Sequence, residues 1–221
     1  MIQVILCDDH ALIRRGIRDT LADAADIQVV GEAGDYGELR ALLRGLASAG
    51  EGGHGTRCDV LVLDINLPGR SGLDVMHALK DEGSPVKVLV VSMYPEDQYA
   101  IRALRAGAYG YVNKGGDPQQ IVQAVRTVAQ GRKYVTPEIA QMLVESLTTP
   151  VPENAHDKLS DRELQTLVMI ASGKRLADIA EQLTLSPKTV SVYRARVLEK
   201  LGLQNNSELT VYALRKGLVG S

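Results

Sequence analysis

Five short apolar runs, Ile2–Cys7, Ile27–Ala33, Val60–Asp64, Val86–Val91 and Gly110–Asn113, punctuate the first 130 residues. Each is rich in Val, Ile or Leu and lacks strict polar alternation, the pattern of strands buried on both faces. Between and after them lie helical patterns: His10–Ala24, Tyr36–Ala49, Gly72–Glu82, Glu96–Ala106 and Pro118–Gln130. Strand and helix alternating five times predict an α/β fold, a doubly wound five-stranded parallel sheet with helices on both sides. Functional groups in such sheets gather at the carboxyl ends of the strands, near the point where strand order reverses.

The rest of the chain is organised differently. A further helix is expected over Pro137–Leu147, followed by TTPVPENAH at 148–156, a linker with two prolines and no periodicity. Beyond it come four short helices. Ser160 and Glu163 form a capping box, with Gly173 as the stop of the first helix. A short helix over Leu176–Leu183 comes next. Ser186-Pro187 then opens a third that ends before Gly202, and a fourth covers Ser207–Lys216. A short helix, a turn and a longer capped helix make a helix-turn-helix pattern. The predicted division is 1–130 for the α/β domain, 131–156 for a connecting helix and linker, and 157–221 for a small all-α domain. One stretch of the first domain is irregular. GLASAGEGGHGTR, 45–57, has five glycines and reads as a surface loop, with His54 solvated inside it.

Charge separates the two parts. The whole chain carries 25 Lys+Arg against 27 Asp+Glu, a formal −2 that offers no reason to expect a polyanionic partner. Residues 1–156 hold 15 Lys+Arg and 20 Asp+Glu (−5), whereas 157–221 hold 10 and 7 (+3). A basic C-terminal part points toward nucleic acid. Trp and Phe are absent and eight tyrosines are all the aromatic content, which argues against an aromatic platform for stacking bases. No apolar run approaches the ~18 residues needed to cross a bilayer. The start, MIQVILCDDH, turns acidic after six residues, unlike a signal peptide. The two cysteines, Cys7 and Cys58, define no disulfide framework, so a cytoplasmic protein with reduced thiols and no membrane contact is expected.

Asp8 and Asp9 close the first predicted strand and Asp64 the third, so a parallel sheet brings three carboxylates to one rim. Such a cluster is relieved by a hard divalent cation or by a raised pKa. Ser92 follows the fourth strand and Lys114 the fifth. A carboxylate nucleophile, metal-binding carboxylates, a hydroxyl donor and an ammonium suit a phosphoryl group. Cys7 reads as a small core hydrophobe beside them.

In CDDH at 7–10, DINLPGRSGLDV at 64–75, SMY at 92–94 and GAYGYVNKG at 107–115, the first 130 residues resemble the receiver domain of two-component response regulators, a flavodoxin-like fold. The resemblance implies that Asp64 is the phosphoacceptor for a histidine kinase. It implies that Asp8 and Asp9 hold Mg²⁺ together with Asp64 and the backbone carbonyl of Asn66. Lys114 and Ser92 would then take phosphate oxygens, and Tyr111 would be the switch aromatic that turns inward as Ser92 moves. The glycine-rich stretch is longer than the connection usual in that family.

The C-terminal part resembles the LuxR-type helix-turn-helix of NarL/FixJ-family regulators. L-S-x-R-E opens it, D-I-A marks the scaffold helix, S-x-K-T-V precedes the recognition helix, and E-L…Y-A-x-x-x-G-L closes it. On Ser186–Leu201, Val190, Val197, Leu198 and Leu201 fall at core spacing. That leaves Lys188, Thr189, Ser191, Val192, Arg194, Ala195, Arg196 and Lys200 as candidate DNA contacts, four of them basic. Ser191, Val192 and Ala195 match the positions of the family helix that point most directly into the groove.

Together these features predict a DNA-binding transcriptional response regulator. Phosphoryl transfer from the kinase to Asp64 would promote homodimerisation and binding to double-stranded promoter DNA, with RNA polymerase as a further partner. No enzymatic activity beyond slow self-dephosphorylation is expected. Two other readings stay open: a regulator that binds DNA without phosphorylation, and an aspartate-nucleophile phosphatase. The phosphatase reading needs a general acid two residues after the nucleophile, where this chain has Asn66.

Overall fold

The computed structural model describes residues 1–50, 58–94, 96–148 and 155–219. It divides into two compact units, Met1–Leu147 and Thr148–Ser221.

The first unit is an alternating α/β structure. Strands β1 (Ile2–Cys7), β2 (Ile27–Ala33), β3 (Val60–Asp64), β4 (Lys87–Ser92) and β5 (Gly110–Asn113) form one sheet. The order is β2-β1-β3-β4-β5, with every pairing parallel. Helices α1 (Ala11–Ala22), α2 (Tyr36–Gly50), α3 (Gly72–Asp81), α4 (Glu96–Arg105) and α5 (Pro118–Ala129) connect the strands, and α6 (Pro137–Thr148) follows. Val4, Leu6, Val60, Val62, Leu89, Val91 and Val112 turn one face of the sheet toward Ile17 and Leu21 of α1 and Ile121, Val122, Val125 and Val128 of α5. Their neighbours Ile5, Leu61, Leu63 and Val90 are equally buried, so both faces are covered. The expected doubly wound five-stranded sheet is therefore what the chain forms.

Register sets the working rim. Cys7 pairs with Leu63, Asp64 with Val91, and Ser92 with Asn113, so β1, β3, β4 and β5 end at nearly one level. The order reverses between β1 and β3, and the chain leaves these two strands in opposite directions, opening a crevice at their carboxyl ends.

Two local expectations change. Residues 45–50 are the last turns of α2, as the helical pattern over Tyr36–Ala49 implies and not the loop that their glycines suggest, because Leu42, Leu43 and Leu46 keep a half-buried face going through Gly45. The rest of the glycine-rich stretch, with His54, lies outside the described residues. Strand β4 also runs one residue later than its apolar letters imply, since the Ser92 carbonyl accepts the Lys114 N–H at 2.8 Å.

The stretch after α5 lies on the sheet. Tyr134 forms a parallel bridge with Gly110, donating its N–H to the Tyr109 carbonyl at 2.7 Å. A Cβ at Gly110 would come within 2.8 Å of the Tyr134 carbonyl, so only glycine admits this approach.

The second unit holds a short 3-10 turn (Ala155–Lys158) and helices α7 (Asp161–Ala171), α8 (Leu176–Gln182), α9 (Pro187–Leu201) and α10 (Asn206–Arg215). The expected four helices are present, with ends shifted by a residue at most. Residues 149–154 of the expected linker lie outside the described part; Thr148 ends α6 and Ala155 begins the 3-10 turn. The expected start and stop signals act: Ser160 caps α7 with Glu163, Ser186 caps α9 with Pro187 behind it, and Gly202 ends α9 in the left-handed conformation. Leu164, Leu167, Ile179, Val190, Val197 and Leu209 are buried to 1% exposure or less and make the small core.

Candidate functional site

Asp8 leaves β1 and is almost wholly buried, Asp64 ends β3 and Ser92 ends β4, both buried, and Lys114 follows β5. Four loops thus deliver these side chains to one crevice. The Lys114 ammonium stands 2.6 Å from Asp8 Oδ2 and 2.8 Å from Asp64 Oδ2, only 4% exposed, and bridges the two carboxylates. Asp8 Oδ1 accepts the His10 N–H at 2.8 Å. Asp9 is half-buried, and its Oδ1 lies 2.6 Å from His10 Nδ1.

The Asp64 carboxylate is used unevenly. Oδ2 takes Lys114, while Oδ1 is buried without a hydrogen-bond partner. Burial pushes the Asp64 pKa up; Lys114 opposes this, and the Asp8 charge adds to it. Asp8, Asp9, His10 and Asp64 can each turn one ligand atom into a region where all lie within 4.8 Å of one another. The three carboxylates are hard oxygen donors and fit a hard divalent cation, and the orphaned Oδ1 of Asp64 has a valence for one. Asn66, two residues past Asp64, is half-buried at the same rim. Cys7 is no competing nucleophile, since burial and then the Asp64 and Asp8 charges push its thiol up to about 12.

Ser92 and Tyr111 are tied through the loop after β4. Ser92 Oγ accepts the Tyr94 N–H at 3.1 Å. Tyr111 is fully buried and donates its hydroxyl to the Tyr94 carbonyl at 2.8 Å, which also accepts Asn113 Nδ2 at 3.1 Å. Tyr94 stacks on Tyr99 of α4, ring centroids 4.6 Å apart. Ser92 and Tyr111 thus bond to the same residue, Tyr94, whose ring lies against α4.

Two groups escaped the sequence reading. Gly72 opens α3 directly against the Asp64 backbone, where a Cβ would fall 2.3 Å from the Asp64 carbonyl. Arg14 of α1 donates a guanidinium nitrogen to the Asp8 carbonyl. Neither carries a signal in one sequence, because each acts through backbone contact.

On α9 the core residues are as expected, with Val190, Val197 and Leu198 buried and Leu201 half-buried. Opposite them Lys188, Ser191, Val192, Ala195 and Arg196 are exposed, and Thr189 is half-buried. Arg194 is half-buried and gives Nε to Asn206 Oδ1 at 2.6 Å. Lys200 is exposed as well, and it is also tied within the module. Its ammonium sits 2.6 Å from Glu163 Oε2 and 3.4 Å from the Lys158 carbonyl, locking α9 to the N-terminus of α7. Burial alone would push Glu163 up, but Lys200 and the Ser160 amide more than offset it and hold the carboxyl below its usual range.

Comparison with known proteins matches residues 4–126 to the response regulator receiver domain and residues 157–213 to the bacterial regulatory proteins of the luxR family. The chain belongs to the two-component response regulators of the NarL/FixJ family, with a receiver domain followed by a LuxR-type DNA-binding domain. It is 39% identical over 220 residues to the response regulator GacA of Pseudomonas aeruginosa, covering 99% of this chain and 98% of that one. It is 38% identical over 219 residues to the response regulator UvrY of Escherichia coli, covering 99% and 96%. Among solved structures it resembles RcsB of Salmonella enterica serovar Typhimurium bound to promoter rprA in the presence of phosphomimetic BeF3⁻. That match has a TM-score of 0.62 at 26% identity and covers 96% of this chain and 97% of RcsB. Regulators of this kind receive phosphate from a kinase and bind promoter DNA. Among the described residues no helix is long and apolar enough to cross a membrane.

Proposed function

We propose that Asp64 accepts a phosphoryl group from the phosphohistidine of a kinase: a carboxylate oxygen forms the new O–P bond as the N–P bond breaks. The observation that carries this reading is the buried Lys114 ammonium held between Asp8 and Asp64. A cation already placed against the acceptor oxygen meets phosphate charge without reorganisation. Ser92 donates its hydroxyl to a second phosphate oxygen while its Oγ keeps a lone pair for the Tyr94 N–H, and Tyr111, already inward and bonded to the Tyr94 carbonyl, is the switch aromatic of the pair. Asp8, Asp9, Asp64 and the backbone carbonyl of Asn66 would hold Mg²⁺, which supplies charge neutralisation to the phosphoryl oxygens when bound. The amide of Asn66 is far too weakly acidic to protonate a leaving group, which favours a phosphoacceptor over a phosphatase.

The signal passes from residues 1–130 through 131–156 to 157–221, where a pair of α9 helices in a homodimer reads two half-sites in double-stranded promoter DNA. Lys188, Arg194 and Arg196 meet phosphates, Thr189 a phosphate or base edge, and Ser191, Val192 and Ala195 face the bases, with Val192 suited to a thymine methyl. Such a protein works in the cytoplasm, where its promoters, its kinase's phosphodonor domain and RNA polymerase meet.

The test is to measure oligomeric state and promoter binding with and without acetyl phosphate and Mg²⁺, for wild type and Asp64→Ala. Stimulation in the wild type alone is expected. Equal DNA binding in all four samples favours the phosphorylation-independent reading. Lys188→Ala and Arg196→Ala should each lower affinity for all sequences alike and reduce the salt slope by about 1. Lys200→Met should leave that slope unchanged and instead lower the melting temperature of the DNA-binding module, since it strands the buried Glu163. Glu163 is held below its usual range, so its contribution is present at neutral pH and lost on acidification; the deficit of Lys200→Met should shrink as pH falls through that lowered pKa.

A further inference from the structure

The acidic pocket depends on how the peptide after β1 is held. Asp8 gives its N–H to the Ala33 carbonyl at 3.0 Å and its Oδ1 takes the His10 N–H at 2.8 Å, so the turn is pinned at its start and across its bend. The Asp8 carbonyl accepts from Arg14. Arg14 is itself anchored: Nε lies 3.1 Å from Glu32 Oε2 on β2, and Arg18 holds the other oxygen of that carboxylate at 3.2 Å. The Arg14 N–H donates to the His10 carbonyl at 2.9 Å, closing the first turn of α1 over the same peptide. The side chain is 20% exposed. A two-armed guanidinium thus ties α1, β2 and the Asp8–Asp9 peptide together.

We propose that Arg14 is a positioning residue for the divalent-cation site. By fixing the Asp8 carbonyl it sets the direction in which the next residue, Asp9, presents its carboxylate, and so the affinity of the pocket for the cation. This rests on the reading of the pocket given above. Charge alone predicts the opposite effect, because a cationic side chain near three carboxylates repels a divalent ion and its removal would tighten binding. Glu32, shared with Arg18, offsets part of that charge, and Arg14 bonds the Asp8 carbonyl and none of the three carboxylates, which leaves geometry as the larger effect. Lysine separates the two, since it keeps the charge but has one nitrogen where Arg14 uses two arms.

The experiment is Mn²⁺ binding to the full chain, followed by calorimetry and by the spin-resonance signal of free Mn²⁺, for wild type, Arg14→Ala and Arg14→Lys. Melting temperatures in EDTA show that each variant is folded. Arg14→Ala is expected to bind about tenfold more weakly, in the range found when partners of metal ligands are removed. Arg14→Lys should fall between it and the wild type. Tighter or unchanged binding in Arg14→Ala overturns the proposal, as does wild-type affinity in Arg14→Lys if the alanine variant does not fold. A wild type that binds no Mn²⁺ defeats the pocket reading itself, a result distinct from equal binding by all three proteins.

Discussion

Asp64→Asn is expected to yield a protein that takes up no phosphoryl group yet melts higher than the wild type. The loss of reactivity is the removal of a nucleophile, which in comparable chemistry lowers rates by roughly four orders of magnitude or more. The gain in stability follows from burial. Asp64 is 1% exposed and its pKa is raised, by burial first and by Asp8 also, despite Lys114. A raised carboxyl pKa means that the folded chain binds the proton more readily than the unfolded one. The contribution to stability is therefore best below the ordinary Asp range and is lost as pH climbs through the folded value, so the ionised carboxylate is a burden at pH 7. Asparagine removes the charge and keeps the shape. The nitrogen that replaces Oδ1 forfeits no hydrogen bond, since Oδ1 has none. A rise of roughly 4 °C, the shift that ~1 kcal/mol produces in a domain of this size, should be seen in EDTA at pH 7. It should narrow at acid pH, where the wild-type carboxyl is protonated. A lower melting temperature would show that the Asp64–Lys114 contact outweighs the cost of burial.

Gly72→Ala is expected to be the most damaging single-methyl change in the receiver. The new carbon would stand 2.3 Å from the Asp64 carbonyl, 2.9 Å from Ile65 Cα and 3.0 Å from the Asp64 carbonyl carbon. All three are backbone, so no side chain can rotate away, and the 2.8 Å bond from the Gly72 N–H to the Ile65 carbonyl fixes the approach from the other side. Either α3 retreats or the end of β3 bends. Overpacking of this kind costs about 3 kcal/mol. A displacement near 1 Å at a reacting group lowers rates about 10²-fold. Thermal unfolding and the rate of labelling by acetyl phosphate measure the two effects. Gly16→Ala is the control: a Cβ at that position of α1 would meet nothing within 4 Å, and the change should be neutral or stabilising.

Asp64 and Gly72 illustrate what one sequence reveals and what it hides. The strands were legible because buried parallel strands are runs of Val, Ile and Leu, and the rim residues because Asp8, Asp9, Asp64, Ser92 and Lys114 each stand at the end of such a run. The caps of α7 and α9 were legible because Ser160, Glu163 and Ser186 act on neighbours a few residues away. Gly72 and Arg14 were not, since their partners are backbone atoms supplied by other elements. The partner of Lys200 was hidden for a related reason. The place of Lys200 on α9 is compatible with DNA, but 37 residues earlier in the chain Glu163 holds its ammonium. Gly45 carries two signals at once, and the apolar face of α2 outweighs its turn-forming composition.

The bridge between Tyr134 and Gly110 has a consequence for self-association. An open sheet carries unpaired amides and carbonyls along its two outer strands, and either can recruit a strand from another molecule into a growing aggregate. Here β5 is only four residues long, and its first residue is occupied by the chain's own Tyr134. Lys133 lies over the Tyr109 ring at 4.5 Å and donates to the Ala108 carbonyl, placing a positive charge beside the same margin. A margin this short, partly occupied and flanked by positive charge offers little for a strand of another molecule to pair with.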